Sequence, residues 1–262
     1  MSFMHSIDWL YTLSGFCVGA LVGLTGVGGG SLMTPILILV FGIHPATAVG
    51  TDLLYAAATK TCGTFVHGIS HTIDWRVVAR LAAGSVPMTI VTFFVLSHFD
   101  LSGSAAAEVI TFLLGLALLM TALALVFRTR IVAYFAKHVG EISKVGTVRL
   151  TVLTGAVLGV LVSITSVGAG ALGVTALILL YPRLPTARIV GSDIVHAVPL
   201  TLIAGIGHWV IGSIDTAILS SLLIGSIPGI VFGSYTAVRV PEAVLRFTLA
   251  AVLAIVGGRL VF

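Results

Sequence analysis

Long apolar segments alternate with short polar turns along the whole chain, and their lengths define the predicted elements. Most of these segments reach the roughly 20 residues that a helix needs to cross a bilayer. The second and seventh are shorter, at about 12 residues or about 18 Å of helix, against a hydrocarbon core about 30 Å thick. The predicted helices lie at 9–27, 31–42, 46–69, 75–97, 106–128, 148–167, 170–181, 186–211, 216–238 and 242–261.

The composition supports a membrane location. Hydrophobic residues make up 58% of the chain and charged residues 8%, whereas ordinary soluble domains have roughly 25% charged residues. So few charges cannot cover the surface of a water-soluble protein of 262 residues. The sequence therefore predicts an all-α polytopic membrane protein, and we interpret its basic residues as topology signals rather than as a nucleic-acid surface.

The chain also repeats itself after 140 residues. The stretch LSGFCVGALVGLTGVGGGSLMTPILIL from Leu13 aligns with LTGAVLGVLVSITSVGAGALGVTALIL from Leu153, with 13 of 27 positions identical. After a one-residue insertion the match continues, so that GSVP from Gly84 aligns with GSIP from Gly225. The sequence predicts two membrane repeats of five segments each, at residues 1–128 and 148–262, and a connecting loop at residues 129–147. Together they form one transport domain.

Basic residues give the two repeats opposite orientations. Cytoplasmic loops carry an excess of Lys and Arg, and the central loop is rich in both, so we place it inside and both termini outside. Arg76 and Arg80 have no basic counterparts near 217–221. Equivalent loops are therefore expected on opposite sides of the membrane. This is an inverted-topology repeat, the architecture of many secondary transporters.

Each repeat interrupts its first helix with glycines just before the short helix. Irregular backbone survives in hydrocarbon only where protein or a water-filled cavity pairs it, and the amide groups at the start of a helix favour an anion. We therefore predict an anion site between the two breaks. The alternative, close helix packing, is our interpretation of Gly15, Gly19, Gly155 and Gly159. The candidate binding residues at the breaks are Thr25, Gly26, Gly28, Gly29, Gly30, Ser31, Thr165, Ser166, Gly168 and Gly170.

The paired motifs GLTGVGGGSLMTPIL with ATAVGTD, and SITSVGAGALGVTAL with ARIVGSD, resemble the TauE/SafE sulfite exporter family over nearly the whole chain. The resemblance implies a transporter of small sulfur-containing anions, such as sulfite, sulfoacetate or thiosulfate, in a bacterial inner membrane. The second motif departs from the first at two positions, where Ala169 replaces Gly29 and Thr175 replaces Pro35.

Lys60 lies near the centre of the third segment, where a lysine costs about 2.5–3.5 kcal/mol. We expect its ammonium to face the cavity and attract the anion, and its counterpart in the second repeat is the neutral Thr201. The alternative is an internal ion pair with Asp52 or Asp193. Those two carboxylates either complement the dipoles of first helical turns or bind a coupling proton or sodium ion.

Three histidines are further candidates for coupling or gating, since imidazole titrates near neutral pH. His67 and His208 occupy equivalent positions, and His196 aligns with Tyr55. The alternative for each is an interfacial or hydrogen-bonded side chain. No His, Cys and carboxylate spacing indicates a metal site, and no cofactor motif is present.

The sequence thus predicts a secondary carrier that exposes a midplane site to each side in turn, and the family resemblance implies that it exports its substrate. A passive anion channel is the first alternative. An intramembrane enzyme using His196 with Asp193 is the second, but no nucleophile is tied to those residues by a motif, so no catalytic residue is assigned. The sequence leaves a homodimer open.

Overall fold

The structure, a computed structural model, describes residues 8–25, 30–69, 73–138, 143–237 and 241–262. Within these ranges the chain is helical and contains no strand, which confirms the predicted all-α class. The helices are α1 (Trp9–Thr25), α2 (Gly30–Leu39), α3 (Pro45–Ile69), α4 (Trp75–Leu96), α5 (Ser104–His138), α6 (Lys144–Thr165), α7 (Ala171–Leu180), α8 (Thr186–Val210), α9 (Thr216–Ala237) and α10 (Glu242–Val261).

Each helix corresponds to one predicted segment, and all ends but one fall within about four residues of the prediction. The exception is α5, which has 35 residues and continues to His138 rather than ending near residue 128. No glycine or proline occurs between Gly115 and Gly140 to stop it, and its basic residues are good helix formers. The helix therefore extends well into the segment predicted as a connecting loop.

The lengths of the helices fit a protein that crosses a membrane several times. Within the described residues, six helices are long and apolar enough to span: α4, α5, α6, α8, α9 and α10. The short helices α2 and α7 have 10 residues each, which is about 15 Å of helix. The prediction of a short helix in each half is confirmed.

The two halves interleave instead of forming separate bundles. The closest helix pairs are α1 with α9, α4 with α6, α3 with α8, and α5 with α10, so each pair joins a helix of one half to a helix of the other. Each helix has a counterpart five helices along the chain, so that α1 corresponds to α6 and α4 to α9. When every helix is replaced by its counterpart, the pair α1 with α9 becomes the pair α6 with α4, and the other two pairs are unchanged. The contacts therefore follow the sequence repeat.

Two hydroxyl groups repeat this correspondence at the starts of α4 and α9. The backbone N–H of Asp74 donates to Ser192 Oγ at 2.8 Å, and the backbone N–H of Asp215 donates to Thr51 Oγ1 at 3.2 Å. The two acceptors lie on α8 and α3, directly before the carboxylates Asp193 and Asp52 in the sequence. These hydrogen bonds attach the start of α4 to α8 and the start of α9 to α3.

Glycines bring the paired helices into backbone contact. A side chain at Gly84 of α4 would overlap the carbonyl oxygen of Val152 in α6, and one at Gly225 of α9 would overlap that of Thr12 in α1. The packing interpretation is confirmed for the four glycines that face the partner helix from α1 and α6, namely Gly15, Gly19, Gly155 and Gly159.

We expect Gly84→Ala and Gly225→Ala each to destabilise the protein by about 1–3 kcal/mol, because the added methyl group forces the helix pair apart. Thermal unfolding of the detergent-purified protein measures the effect. Gly258→Ala is the matched control, since a methyl group there meets no atom within 4 Å. Midpoints for Gly84→Ala and Gly225→Ala equal to that of the control would contradict the proposed packing.

Candidate functional site

The backbone between α6 and α7 is not helical. Ser166 has a left-handed φ of 59°. Gly168 and Gly170 have φ values of 123° and 125°, which residues other than glycine rarely adopt. Residues 165–171 are all buried. The predicted glycine break in the second half is therefore confirmed, and it lies inside the protein and not against lipid.

A side chain and local turns provide hydrogen bonds for some of the backbone polar groups at this break. The Thr165 hydroxyl donates to the carbonyl of Leu161 at 2.7 Å and accepts from the N–H of Val167 at 3.2 Å. Thr165, predicted as a substrate donor, is thus engaged in holding the break together. The Ser166 hydroxyl is buried and interacts with the carboxylate of Asp52, although not with the geometry of a hydrogen bond.

The predicted break in the first half falls in residues 26–29, between the last described residue of α1, Thr25, and the first of α2, Gly30. Gly26, Gly28 and Gly29 lie outside the described residues. The same holds for the side chains of three other candidates, Thr25, Ser31 and His67. Their predicted roles stay predictions.

Asp52 and Asp193 lie about two turns inside α3 and α8, and neither helix has an acidic residue in its first turn. Their interpretation as first-turn carboxylates that complement a helix dipole is therefore wrong. Asp52 is fully buried. Its Oδ2 accepts a hydrogen bond from the hydroxyl of Thr34 on α2, and the carboxylate also interacts with the Ser166 hydroxyl, although not with the geometry of a hydrogen bond.

Asp193 is buried without any hydrogen bond to either carboxylate oxygen. Its Oδ1 lies against Gly173 of α7, where a side chain would overlap it. The backbone amide of Gly170, at the start of α7, also interacts with this carboxylate, although not with the geometry of a hydrogen bond. Asp193 therefore faces the amino-terminal end of the short helix.

Lys60 connects the first half to the break of the second. Its side chain is only 5% exposed, and its ammonium donates to the carbonyl oxygen of Ala169 at 3.5 Å. It interacts electrostatically with Asp193 and, more weakly, with Asp52. The structure thus brings three predicted site residues together: one buried cation and two buried carboxylates.

His196 lies one turn beyond Asp193 on α8. Its Nε2 is 2.8 Å from the hydroxyl of Ser85 on α4, and its Nδ1 is buried with no hydrogen-bond partner. The equivalent residues in the other half are Tyr55 and Ser226, which also interact, but without a hydrogen bond of normal geometry. Ser85 was not predicted as a site residue. The repeated GSVP and GSIP motifs were the signal that marked its position.

His208 joins α8 to α6. The Nε2 of its ring lies 3.0 Å from the carbonyl oxygen of Ser163, and its ring meets Phe93 edge-on at 5.1 Å. His208 is therefore a hydrogen-bonded side chain, which was the alternative to a role in coupling or gating. Its predicted role in coupling stays a prediction.

The buried charged groups are shielded in this conformation. An open groove at the outer surface is lined by residues of α1 and α9, including Phe16 and Pro228, and it does not reach Lys60. Among the described residues, no group of three or more His, Cys, Asp or Glu side chains is arranged to hold a metal ion. The chemistry that the cluster offers is ion binding and proton exchange.

Comparison with known proteins gives one consistent result. Residues 11–260 match the family described as Sulfite exporter TauE/SafE. Probable membrane transporter protein YjnA of Bacillus subtilis is 38% identical over 250 residues, which cover 95% of this chain and 98% of the relative. Probable membrane transporter protein MJ0441 of Methanocaldococcus jannaschii is 27% identical over 267 residues, covering 95% and 93%. No solved structure matches the chain.

We expect Thr34→Val to destabilise the protein by about 1–3 kcal/mol, because it leaves the buried carboxylate of Asp52 without its hydroxyl donor. Thermal unfolding measures the effect, and Thr34→Ser, which keeps the hydroxyl, is the control. If Thr34→Val and Thr34→Ser unfold at the same temperature, the hydrogen bond does not support Asp52.

Proposed function

Since this chain belongs to the Sulfite exporter TauE/SafE family of membrane transporters, we propose that it is a secondary transporter that exports a small sulfur-containing anion. Sulfite, sulfoacetate and thiosulfate are the candidate substrates. The protein would act in the inner membrane of a bacterium, with its termini outside and its basic connecting segment in the cytoplasm.

The observation that carries this proposal is the position of Lys60 beside the broken helix. A buried ammonium in a membrane protein is costly and generally marks an ion or substrate pathway. Here it lies next to a break that holds the buried Ser166 hydroxyl, which makes no hydrogen bond of normal geometry, and the helix that follows starts without a side-chain cap. A cation, a hydroxyl and the amino-terminal end of a helix are together suited to an anion.

The interleaved helix pairs suggest how this site is exposed to each side. The pairs α1 with α9 and α4 with α6 are joined through glycine-mediated backbone contacts, and we propose that each pair moves as a unit. In our proposal the two pairs swing alternately against α3 and α8, which hold the charged groups. An inverted repeat makes the two end states of such a movement equivalent.

The coupling ion in this proposal is a proton or a sodium ion. Asp52, Asp193 and His196 are the candidates to bind it, because all three are buried and carry at least one polar atom without a hydrogen bond. His67 and His208 are candidates for gating at the ends of the paired helices α3 and α8.

One observation favours an enzyme as the second candidate. The Ser85 hydroxyl lies 2.8 Å from Nε2 of His196, as a serine nucleophile lies beside its general base in a serine hydrolase. Asp193, however, makes no hydrogen bond to Nδ1, so the orienting contact of such a triad is missing. Covalent labelling of Ser85 by a fluorophosphonate would favour the enzyme over the transporter.

We expect Lys60→Ala to lower the flux of the transported anion at least about tenfold, because the loss of a buried charge-assisted contact of about 1.5–3 kcal/mol weakens binding by that order. The measurement is counterflow of sulfite, sulfoacetate and thiosulfate in proteoliposomes.

Arg130→Ala is the matched control, since it removes a cation that is exposed on the long helix α5, and it should leave counterflow unchanged. Undiminished counterflow in Lys60→Ala would disprove the assigned role of Lys60. Wild-type vesicles that carry none of the three anions would disprove the proposed function.

A further inference from the structure

The charged groups at the site are not balanced for receiving an anion. Lys60 is a single cation between two carboxylates, and it interacts with both. A substrate anion that enters this cluster is repelled by the two carboxylates, and the repulsion is strong because little water screens buried charges. Anion binding therefore requires that one carboxylate move away from Lys60 or lose its charge.

The two carboxylates are equivalent by sequence repeat but not by environment. The carboxylate of Asp52 accepts a hydrogen bond from the hydroxyl of Thr34 on α2. The residue of α7 that corresponds to Thr34 is Val174, which has no hydroxyl to donate. Accordingly, neither oxygen of Asp193 has a hydrogen bond. A buried carboxylate without hydrogen bonds is the one that more readily gives up its charge.

Asp193 also occupies the place where an anion is expected. Its carboxylate interacts with Lys60 and with the backbone amide of Gly170, which begins α7 without any side-chain cap. These are the positive groups on which the proposed anion site depends. The carboxylate of Asp193 thus lies where the negative charge of the substrate is expected.

We propose that the substrate anion displaces the carboxylate of Asp193 from Lys60 and from the start of α7, and that Asp193 then takes up one proton from water. The proposal rests on the anion site described above and identifies its coupling ion as a proton. A dianion that crosses with one proton carries one net negative charge. The inside-negative membrane potential therefore drives it outwards.

The neighbouring groups are compatible with this exchange. Among the described residues, Lys60 on α3 is the charged group that interacts with Asp193 from another helix. His196 lies one turn away on α8 and is engaged with the Ser85 hydroxyl of α4. Asp52 acts on the site through Lys60 and remains held by Thr34.

The test is to measure proton uptake when an anion binds to the purified protein in weakly buffered detergent solution with a pH-indicating dye. Thiosulfate and sulfoacetate are the probes, because both stay fully deprotonated near neutral pH. We expect the wild type to take up about one proton per bound anion. Asp193→Asn should bind the anion without proton uptake, and the matched variant Glu108→Gln, which removes an exposed carboxylate of α5, should retain the uptake.

A second variant guards against misfolding of Asp193→Asn. Val174→Thr places a hydroxyl at the position equivalent to Thr34 and stabilises the carboxylate of Asp193, so anion affinity should fall on the order of tenfold. Wild-type protein that binds the anion without proton uptake would overturn this inference alone. Uptake that survives in Asp193→Asn but is lost in Asp52→Asn or His196→Asn would overturn the assignment to Asp193. If neither probe binds, the proposed function fails as well.

Discussion

A helix that stops inside a bilayer leaves backbone groups that lipid cannot pair, and this constraint governs the arrangement of the whole molecule. The break between α6 and α7 is buried among other helices, and the Thr165 hydroxyl and local turns pair part of its backbone. Helices of both halves must surround the break, which the interleaved pairing achieves. The Ser166 hydroxyl of the break interacts with the carboxylate of Asp52 on α3, so the break is also in contact with the first half.

The two halves share the same helix packing, but they differ in the residues around the buried charges of the candidate site. Backbone contacts through glycines and the hydroxyl links at the starts of α4 and α9 occur in both halves. The exceptions lie around the buried charges. Lys60 has a neutral threonine as its counterpart, Thr34 has a valine, and His196 has a tyrosine. One half therefore holds its carboxylate in a hydrogen bond, while the carboxylate of the other half has none.

Much of the fold follows from patterns that the sequence displays directly. Apolar segment length predicts the helices, and paired glycine motifs predict the break that begins after Thr165. The length of α5 escaped prediction, because basic residues suggest a loop although nothing in that stretch stops a helix. The hydrogen bonds of Thr34 with Asp52 and of Ser85 with His196 join residues 18 and 111 positions apart. Such contacts depend on tertiary packing, which periodicity does not encode.

The central claim is that a sulfur-containing anion binds beside Lys60 at the start of α7. A crystal structure with bound thiosulfate, located by the anomalous scattering of its sulfur atoms, tests this claim most directly. We expect the anion within hydrogen-bond distance of the Lys60 ammonium and the Gly170 amide, with the carboxylate of Asp193 turned away. Thiosulfate bound elsewhere, for example in the outer groove between α1 and α9, with Lys60 and Asp193 unmoved, would contradict the account.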